Sequence, residues 1–347
     1  MDGSASQPDG HRTPQAATNT PQAATITFDG AGMVYPDGTV AVERLSMEIG
    51  AGEIVVLIGP SGCGKSTALR MINRLVEPTS GRVLIDGRNV ADGDAVELRR
   101  RIGYVIQNVG LFPHQTVLTN VATVPRLLGW GRQRVADRVE ELLNLVELDP
   151  ARFAGRYPHE LSGGQRQRVG VARALAADPV VLLMDEPFSA VDPIARARLQ
   201  EEFLRLWQRV RKTTVIVTHD LDEAIRLADR IAVLSDRATL RQYTTPAELL
   251  ATPADDFVTT FVGEDRGIKR LAVTGVPREG LRALLGEEHT AWPTVAVSAT
   301  LRDALAAMLR VGTPGVVVRD GKTLLGALTA EDVRGALAST ATPAEAS

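Results

Sequence analysis

Ile54-Val55-Val56-Leu57-Ile58 runs without a polar break into Gly59-Pro60-Ser61-Gly62-Cys63-Gly64-Lys65-Ser66-Thr67, and a helical pattern from Ala68 to Ile72 follows. The nine-residue segment fits G-x-x-x-x-G-K-[ST], and strand, glycine loop and helix is the context that pattern requires. Gly62 and Gly64 have no side chains, so backbone N–H groups can close around phosphate oxygens. The helix start adds about half a positive charge. Lys65 can reach the β- and γ-phosphates of a nucleoside triphosphate, and the Ser66 hydroxyl can hold Mg²⁺.

The flanking chain alternates strand and helix. Order is expected from Ile26-Thr27-Phe28, with a second strand over Val40 to Ile49 after the turn signal Pro36-Asp37-Gly38. Two readings of Tyr35 stand: stacking on a nucleotide base, or a half-buried strand tyrosine. A strand over 82–85, a polar helix over 95–101 and a strand pattern ending at Gln107 come next. Residues 108–160 look mainly helical, so a helical subdomain interrupts an α/β core. Leu161-Ser162-Gly163-Gly164-Gln165 then opens a helix to about Ala177. Ser162 is its expected N-cap, and the two glycines again expose N–H groups.

Val180-Val181-Leu182-Leu183-Met184 is an unbroken apolar run, as a strand of a parallel sheet buried on both faces should be. It ends in Asp185-Glu186. Two adjacent acids are hard to explain as packing; one can serve Mg²⁺ and the other can polarise water. Pro193 begins an amphipathic helix to about Arg211, with Leu199, Phe203, Leu206, Trp207 and Val210 on one face. The strand Thr214-Val215-Ile216-Val217-Thr218 ends at His219, on the side where such sheets bind ligands, which favours phosphate sensing over a solvated histidine.

Composition narrows the classes. The 347 residues allow two or three domains, and a net charge of −3 gives no argument for a nucleic-acid partner. No apolar stretch reaches the ~18 residues of a membrane span. The lone Cys63 excludes an intrachain disulfide; a small residue tolerated in a tight loop is a simpler reading of it than a redox role. Residues 1–24 and 339–347 read as disordered tails.

Segment 59–67, Gln107, 161–165, Asp185-Glu186, Ser189-Ala190-Val191-Asp192 and His219 occur in the order of an ABC transporter ATPase subunit, which residues 25–262 resemble. The resemblance implies a phosphate-loop NTPase core of the ABC type, with an inserted helical subdomain at about 108–160 and an antiparallel β subdomain. Val105 to His114, Val124 to Trp130 and Phe261 to Gly267 are similar to ATPases of importers for quaternary amines: glycine betaine, carnitine or choline. After an expected linker at 263–292, with a short helix near Gly280–Gly286, residues 293–338 resemble a single CBS module. Its Gly326, Thr329 and Asp332 fit a ribose-holding arrangement. A lone module either pairs with a second chain or packs without nucleotide, so a regulatory nucleotide and bare packing both stand.

The resemblance assigns roles by position. Tyr35 would stack on adenine, and Gly59, Pro60, Ser61, Gly62, Cys63, Gly64, Lys65, Ser66 and Thr67 would hold the phosphates of ATP. Ser66, Gln107 and Asp185 would place Mg²⁺. Glu186 would polarise water, and His219 would contact the γ-phosphate. Ser162, Gly163, Gly164 and Gln165 would cap ATP held by a second copy of the chain, and Asp192 would link the two sites. The further partners implied are transmembrane permease subunits and, indirectly, an extracytoplasmic substrate-binding protein. The implied location is the cytoplasmic face of the plasma membrane. Leu111, Phe112 and Pro113 serve either permease docking or the subdomain core. Another small solute, such as an amino acid or polyamine, is the alternative cargo. A soluble ABC protein acting on nucleic acid would be expected to carry two cassettes or a long coiled coil, and neither pattern is present.

Overall fold

The computed structural model describes residues 23–107, 109–189, 191–284 and 287–339. The tails expected at 1–24 and 339–347 therefore lie mostly outside the described residues. Ala24 is an exception. It is fully buried, its N–H donates to Val180, and its carbonyl accepts from the Thr213 hydroxyl at 2.5 Å. The packed fold thus begins before Thr25.

In chain order the elements are β1 (Ile26–Val34), β2 (Val40–Ile49), β3 (Ile54–Ile58), α1 (Lys65–Ile72), β4 (Ser80–Ile85), β5 (Arg88–Asn89), α2 (Ala95–Arg100) and β6 (Ile102–Val105). The helical region contributes α3 (Val117–Val121), α4 (Thr123–Leu127), α5 (Arg132–Leu145) and α6 (Pro150–Phe153). Then come α7 (Gly163–Leu175), β7 (Val181–Asp185), α8 (Pro193–Val210), β8 (Thr213–Val217), α9 (Leu221–Leu227), β9 (Arg230–Ser235) and β10 (Thr239–Thr244). The remainder is α10 (Pro246–Ala251), α11 (Asp256–Val262), α12 (Arg266–Val273), β11 (Thr294–Ala296), α13 (Leu301–Val311), β12 (Gly315–Asp320), β13 (Thr323–Thr329) and α14 (Ala330–Ser339).

β3, β7 and β8 are buried at every position, including Asp185 at the end of β7 and the two threonines that open β8, as their largely apolar sequences suggest. They lie in a six-stranded sheet of order β10-β9-β3-β8-β7-β6, parallel from β9 to β6 with β10 antiparallel at the edge. One core packs the helical region, α7 and α8 against one face of this sheet. A second core packs α1 and the antiparallel sheet β2-β1-β4-β5 against the other. The expected α/β core, helical insert and antiparallel β layer are all present.

The chain after 262 differs from the expected linker. α12 is amphipathic and buries Leu271, and Lys269 reaches Asp222 of α9 at 3.5 Å. The short helix expected near Gly280–Gly286 is not seen in its described part. Arg282 instead pairs with Ala327 as an isolated β-bridge. Leu271 and Val276 join the small core built by β11-β12-β13, α13 and α14. The helical signal was misplaced because four apolar residues between charged ones, Ile268, Leu271, Ala272 and Val273, are too few to separate a docked helix from a connector.

Phe28 of β1 is 1% exposed within the second core. Phe28→Ala should cost about 3–5 kcal/mol in urea unfolding; a loss below about 1 kcal/mol would mean that this layer relaxes to fill the space.

Candidate functional site

The site forms where adjacent strands end. His219 follows β8, Asp185-Glu186 closes β7 and Gln107 follows β6, and these three strands are neighbours in the sheet. The glycine loop follows β3, on the other side of β8. Parallel strands in register point their C-terminal ends the same way, so residues far apart in sequence meet at one sheet edge.

In the loop, Gly64 has φ 106°, and a Cβ there would lie 2.2 Å from the Ala41 carbonyl oxygen. Only glycine fits. Lys65 is 6% exposed and folds back, donating to the Gly59 and Pro60 carbonyls at 2.8 and 2.7 Å. The same ammonium lies 3.9 Å from the Cys63 sulfur. Cys63 is buried, and burial pushes its thiol up despite the nearby Lys65 charge, so the thiol is held in its inert form. The Tyr35 hydroxyl lies 3.4 Å from the Thr67 hydroxyl, and its ring packs partly buried on the edge of the second core.

The Ser66 hydroxyl donates to Asp185 at 2.8 Å. The other carboxylate oxygen of Asp185 lies 3.6 Å from the Arg70 guanidinium. Arg70 did not emerge from the motif, yet a signal existed: it stands four residues after Ser66, hence on the same helix face. A buried carboxylate beside a hydroxyl is a hard-oxygen pair that suits Mg²⁺.

Glu186 is clasped from two sides. Gln107 donates to one carboxylate oxygen at 2.8 Å, and His219 Nδ1 lies 3.2 Å from the other. Glu186 itself has φ 47°, a strained conformation for a residue with a Cβ, and its N–H donates to Val217 of β8. The structure thus brings Gln107, Glu186, His219, Asp185 and Ser66 into one connected group.

The 161–165 segment is built as a capping box. The Ser162 hydroxyl accepts from the Gln165 N–H at 3.3 Å, and the Gln165 side chain accepts from the Ser162 N–H at 2.9 Å. Gln165 is therefore used locally. A Cβ at Gly163 or Gly164 would meet nothing nearer than 3.5 Å. The fold of this chain does not require those two glycines. Asp192 caps α8 through the Ala195 N–H at 3.0 Å. Of the apolar trio, Leu111 packs against the core, whereas Phe112 and Pro113 are exposed.

In the C-terminal module, Thr329 and Asp332 form another capping box. Arg282 donates to both oxygens of Asp332, at 2.9 Å to each, and holds that carboxyl down at about 2. A Cβ on Gly326 would lie 2.7 Å from Leu281. The three residues singled out for ribose are brought together, but the 281–282 segment covers them and Arg282 fills the carboxylate.

One site feature escaped the sequence reading. Glu223 of α9 is 4% exposed, and burial, with Asp220 nearby, pushes its carboxyl up to about 7 against an opposing Arg196.

Fold and site together define a phosphate-loop nucleotide-binding protein. The ABC transporter family profile matches residues 42–189 and the CBS domain profile residues 289–339. The chain is 48% identical over 273 residues to the glycine betaine uptake system ATP-binding protein YehX of Escherichia coli, covering 78% of this chain and 87% of that protein. It is 53% identical over 244 residues to the choline transport ATP-binding protein OpuBA of Bacillus subtilis, covering 70% of this chain and 64% of that protein. The chain thus spans less than two thirds of the length of that second relative. A dimeric bacterial ABC transporter cassette superposes with a TM-score of 0.57 at 36% identity, covering 64% of this chain and 98% of that one. The chain belongs to the ATP-binding proteins of the ABC transporter family. Among its described residues no helix is long and apolar enough to cross a membrane.

Glu223 makes stability depend on pH. Its carboxyl titrates near 4.5 when unperturbed and about 7 in the fold, so the folded state binds the extra proton between those values. Stability should fall as pH rises through that window, by on the order of 3 kcal/mol. Glu223→Gln should flatten the decline in urea unfolding between pH 5 and 8; an unchanged slope would remove this carboxylate as its source.

Proposed function

We propose that this chain is the ATP-hydrolysing subunit of an ABC importer that powers uptake of a quaternary-amine osmoprotectant. The observation that carries the reading is the Glu186 carboxylate held between Gln107 and His219 next to the Ser66–Asp185 pair. ATP hydrolysis needs a positioned water, a held triphosphate and stabilised charge, with little covalent work for the protein. The loop N–H groups and Lys65 bind the phosphates, once Lys65 exchanges the Gly59 and Pro60 carbonyls for phosphate oxygens. Ser66, Asp185 and Gln107 would hold Mg²⁺, which neutralises phosphate charge when bound. Glu186 orients and polarises the attacking water, and His219 turns from Glu186 to the γ-phosphate. Tyr35 stacks on adenine.

The site takes its second half from another copy of the chain. Gly163 and Gly164, open on their outer side, admit the close approach of a partner's nucleotide to the N–H groups they expose. Asp192, at the start of α8, sits at that interface. The structural relatives include a dimeric cassette in a post-hydrolysis state with ADP and Pi.

Exposed Ile106, Phe112, Leu127 and Leu128 offer an apolar surface to a membrane-spanning permease. The chain would thereby sit on the cytoplasmic face of the membrane, with an extracytoplasmic binding protein delivering cargo. The names of OpuBA and YehX support choline or glycine betaine as cargo over an amino acid or polyamine.

Glu186→Gln should bind ATP, accumulate as an ATP-bound dimer in size-exclusion chromatography and lose steady-state turnover by 10²-fold or more, on the order of the loss of a general base. Undiminished turnover would sink the assignment. A regulatory nucleotide enters the C-terminal module only when Arg282 leaves Asp332. Arg282→Ala should therefore raise AMP affinity of the full chain at a second site, read by calorimetry with the ATP site saturated; equal affinity in both forms would count against this cover.

A further inference from the structure

We infer that a cavity between α5, α7 and α8 is a binding site for a small amphipathic anion, a carboxylate on a short acyl chain. The cavity has a volume of about 240 Å³ and lies apart from the ATP site. Its walls are largely apolar: Val171 from α7, Phe188 from the loop after β7, and Leu199, Phe203 and Leu206 from one face of α8. All five are at least nine-tenths buried.

Polar groups share this wall, among them Asn144, Gln167 and the carboxylates of Glu147 and Glu202. Gln167 is 4% exposed, lines the cavity, and its amide nitrogen has no hydrogen-bond acceptor among the described residues. A buried donor left unpaired is costly, and folds rarely keep one without a use. A ligand oxygen would supply the missing acceptor.

The charges at the rim choose the sign. Of the charged residues that line the cavity, Arg168 pairs with both acids, Glu147 and Glu202. Arg205 and Arg209 also line the cavity, are exposed, and form no ion pair among the described residues. Two guanidinium groups without an ion pair, a buried donor without an acceptor and a largely apolar wall fit an anionic head on an apolar body. A neutral apolar molecule would leave both the donor and the cations unused.

The walls have a consequence. α7 starts at the Ser162–Gly164 turn, α8 starts at Asp192, and α5 belongs to the helical region. A bound ligand bridges all three, so occupancy resists their relative movement. The binding claim itself does not rest on ATP hydrolysis and is tested without it.

The test is calorimetric titration of the full chain with sodium octanoate, and with octan-1-ol as the uncharged control. The expected result is saturable binding of octanoate, tighter than octanol. Gln167→Leu should weaken octanoate binding about tenfold, the loss of one hydrogen bond to a charged group. Arg205→Glu combined with Arg209→Glu should weaken it at least as much while leaving octanol binding unchanged. These two arginines are on the surface, so that variant folds even if Gln167→Leu does not. No saturable heat, octanol bound as tightly as octanoate, or octanoate binding indifferent to the arginine pair would each overturn the proposal.

Discussion

The Glu186 carboxylate is the point at which the strands of this protein become a site. It stands in a left-handed backbone conformation that a glutamate adopts at a cost, and it is held there by Gln107 on one side and His219 on the other. Each of the three comes from a different strand end. The contact survives only if β6, β7 and β8 keep their register, because a slip by one residue would turn each terminal side chain to the other face. Full burial of β7 and β8 on both faces supplies that rigidity. The apolar core is therefore part of the geometry of this cluster, through register rather than contact.

Much of this was legible because the chemistry is concentrated in short segments. Glycines in a phosphate loop, acids at the end of an apolar strand and a histidine at the end of the next are local patterns. The six-stranded order is not local, but the sequence of apolar runs with intervening helices implies a parallel sheet. What stayed hidden is what depends on long-range geometry. That Gln107 and His219 close on the same carboxylate follows from strand order, which no spacing reveals. Arg282 and Asp332 are fifty residues apart in sequence, and only the path of the chain over Gly326 makes them partners. Glu223 sits beside Asp222, which is exposed, while Glu223 itself is buried, so nothing local in the sequence marks it.

Several residues chosen for chemistry also have structural duties, and the two do not conflict. Ser162 and Gln165 cap α7 reciprocally, and Asp192 caps α8. A cap fixes where a helix begins, and a helix start aims its free N–H groups. The side chains that order the 161–165 turn thus also set the direction of the donors that a second nucleotide would meet. The glycines between them show the division of labour. Gly64 is enforced by the Ala41 carbonyl of its own chain, whereas a Cβ on Gly163 or Gly164 would make no more than ordinary van der Waals contact with the described residues. Glycine carries a backbone entropy penalty wherever it occurs. Glycines without an internal steric reason are what the proposed approach of a second copy's nucleotide would use.

The same reasoning orders the rest of the molecule. The phosphate loop and the Glu186 clasp are satisfied internally: Lys65 has carbonyls, Ser66 has Asp185, and Glu186 has two donors. Under the proposed function those bonds would be exchanged when nucleotide arrives, and in the free site they form a closed set of mutual contacts. Such exchange keeps the net cost of binding low, because no buried polar group is left unpaired at either end. Asp332 is likewise satisfied internally, by Arg282. Gln167 departs from this pattern: its amide nitrogen has no internal substitute among the described residues. A group with a substitute can wait for its ligand at no cost to the fold, whereas a group without one draws its ligand in, which is why the α5–α7–α8 cavity belongs to a different kind of site from the other two.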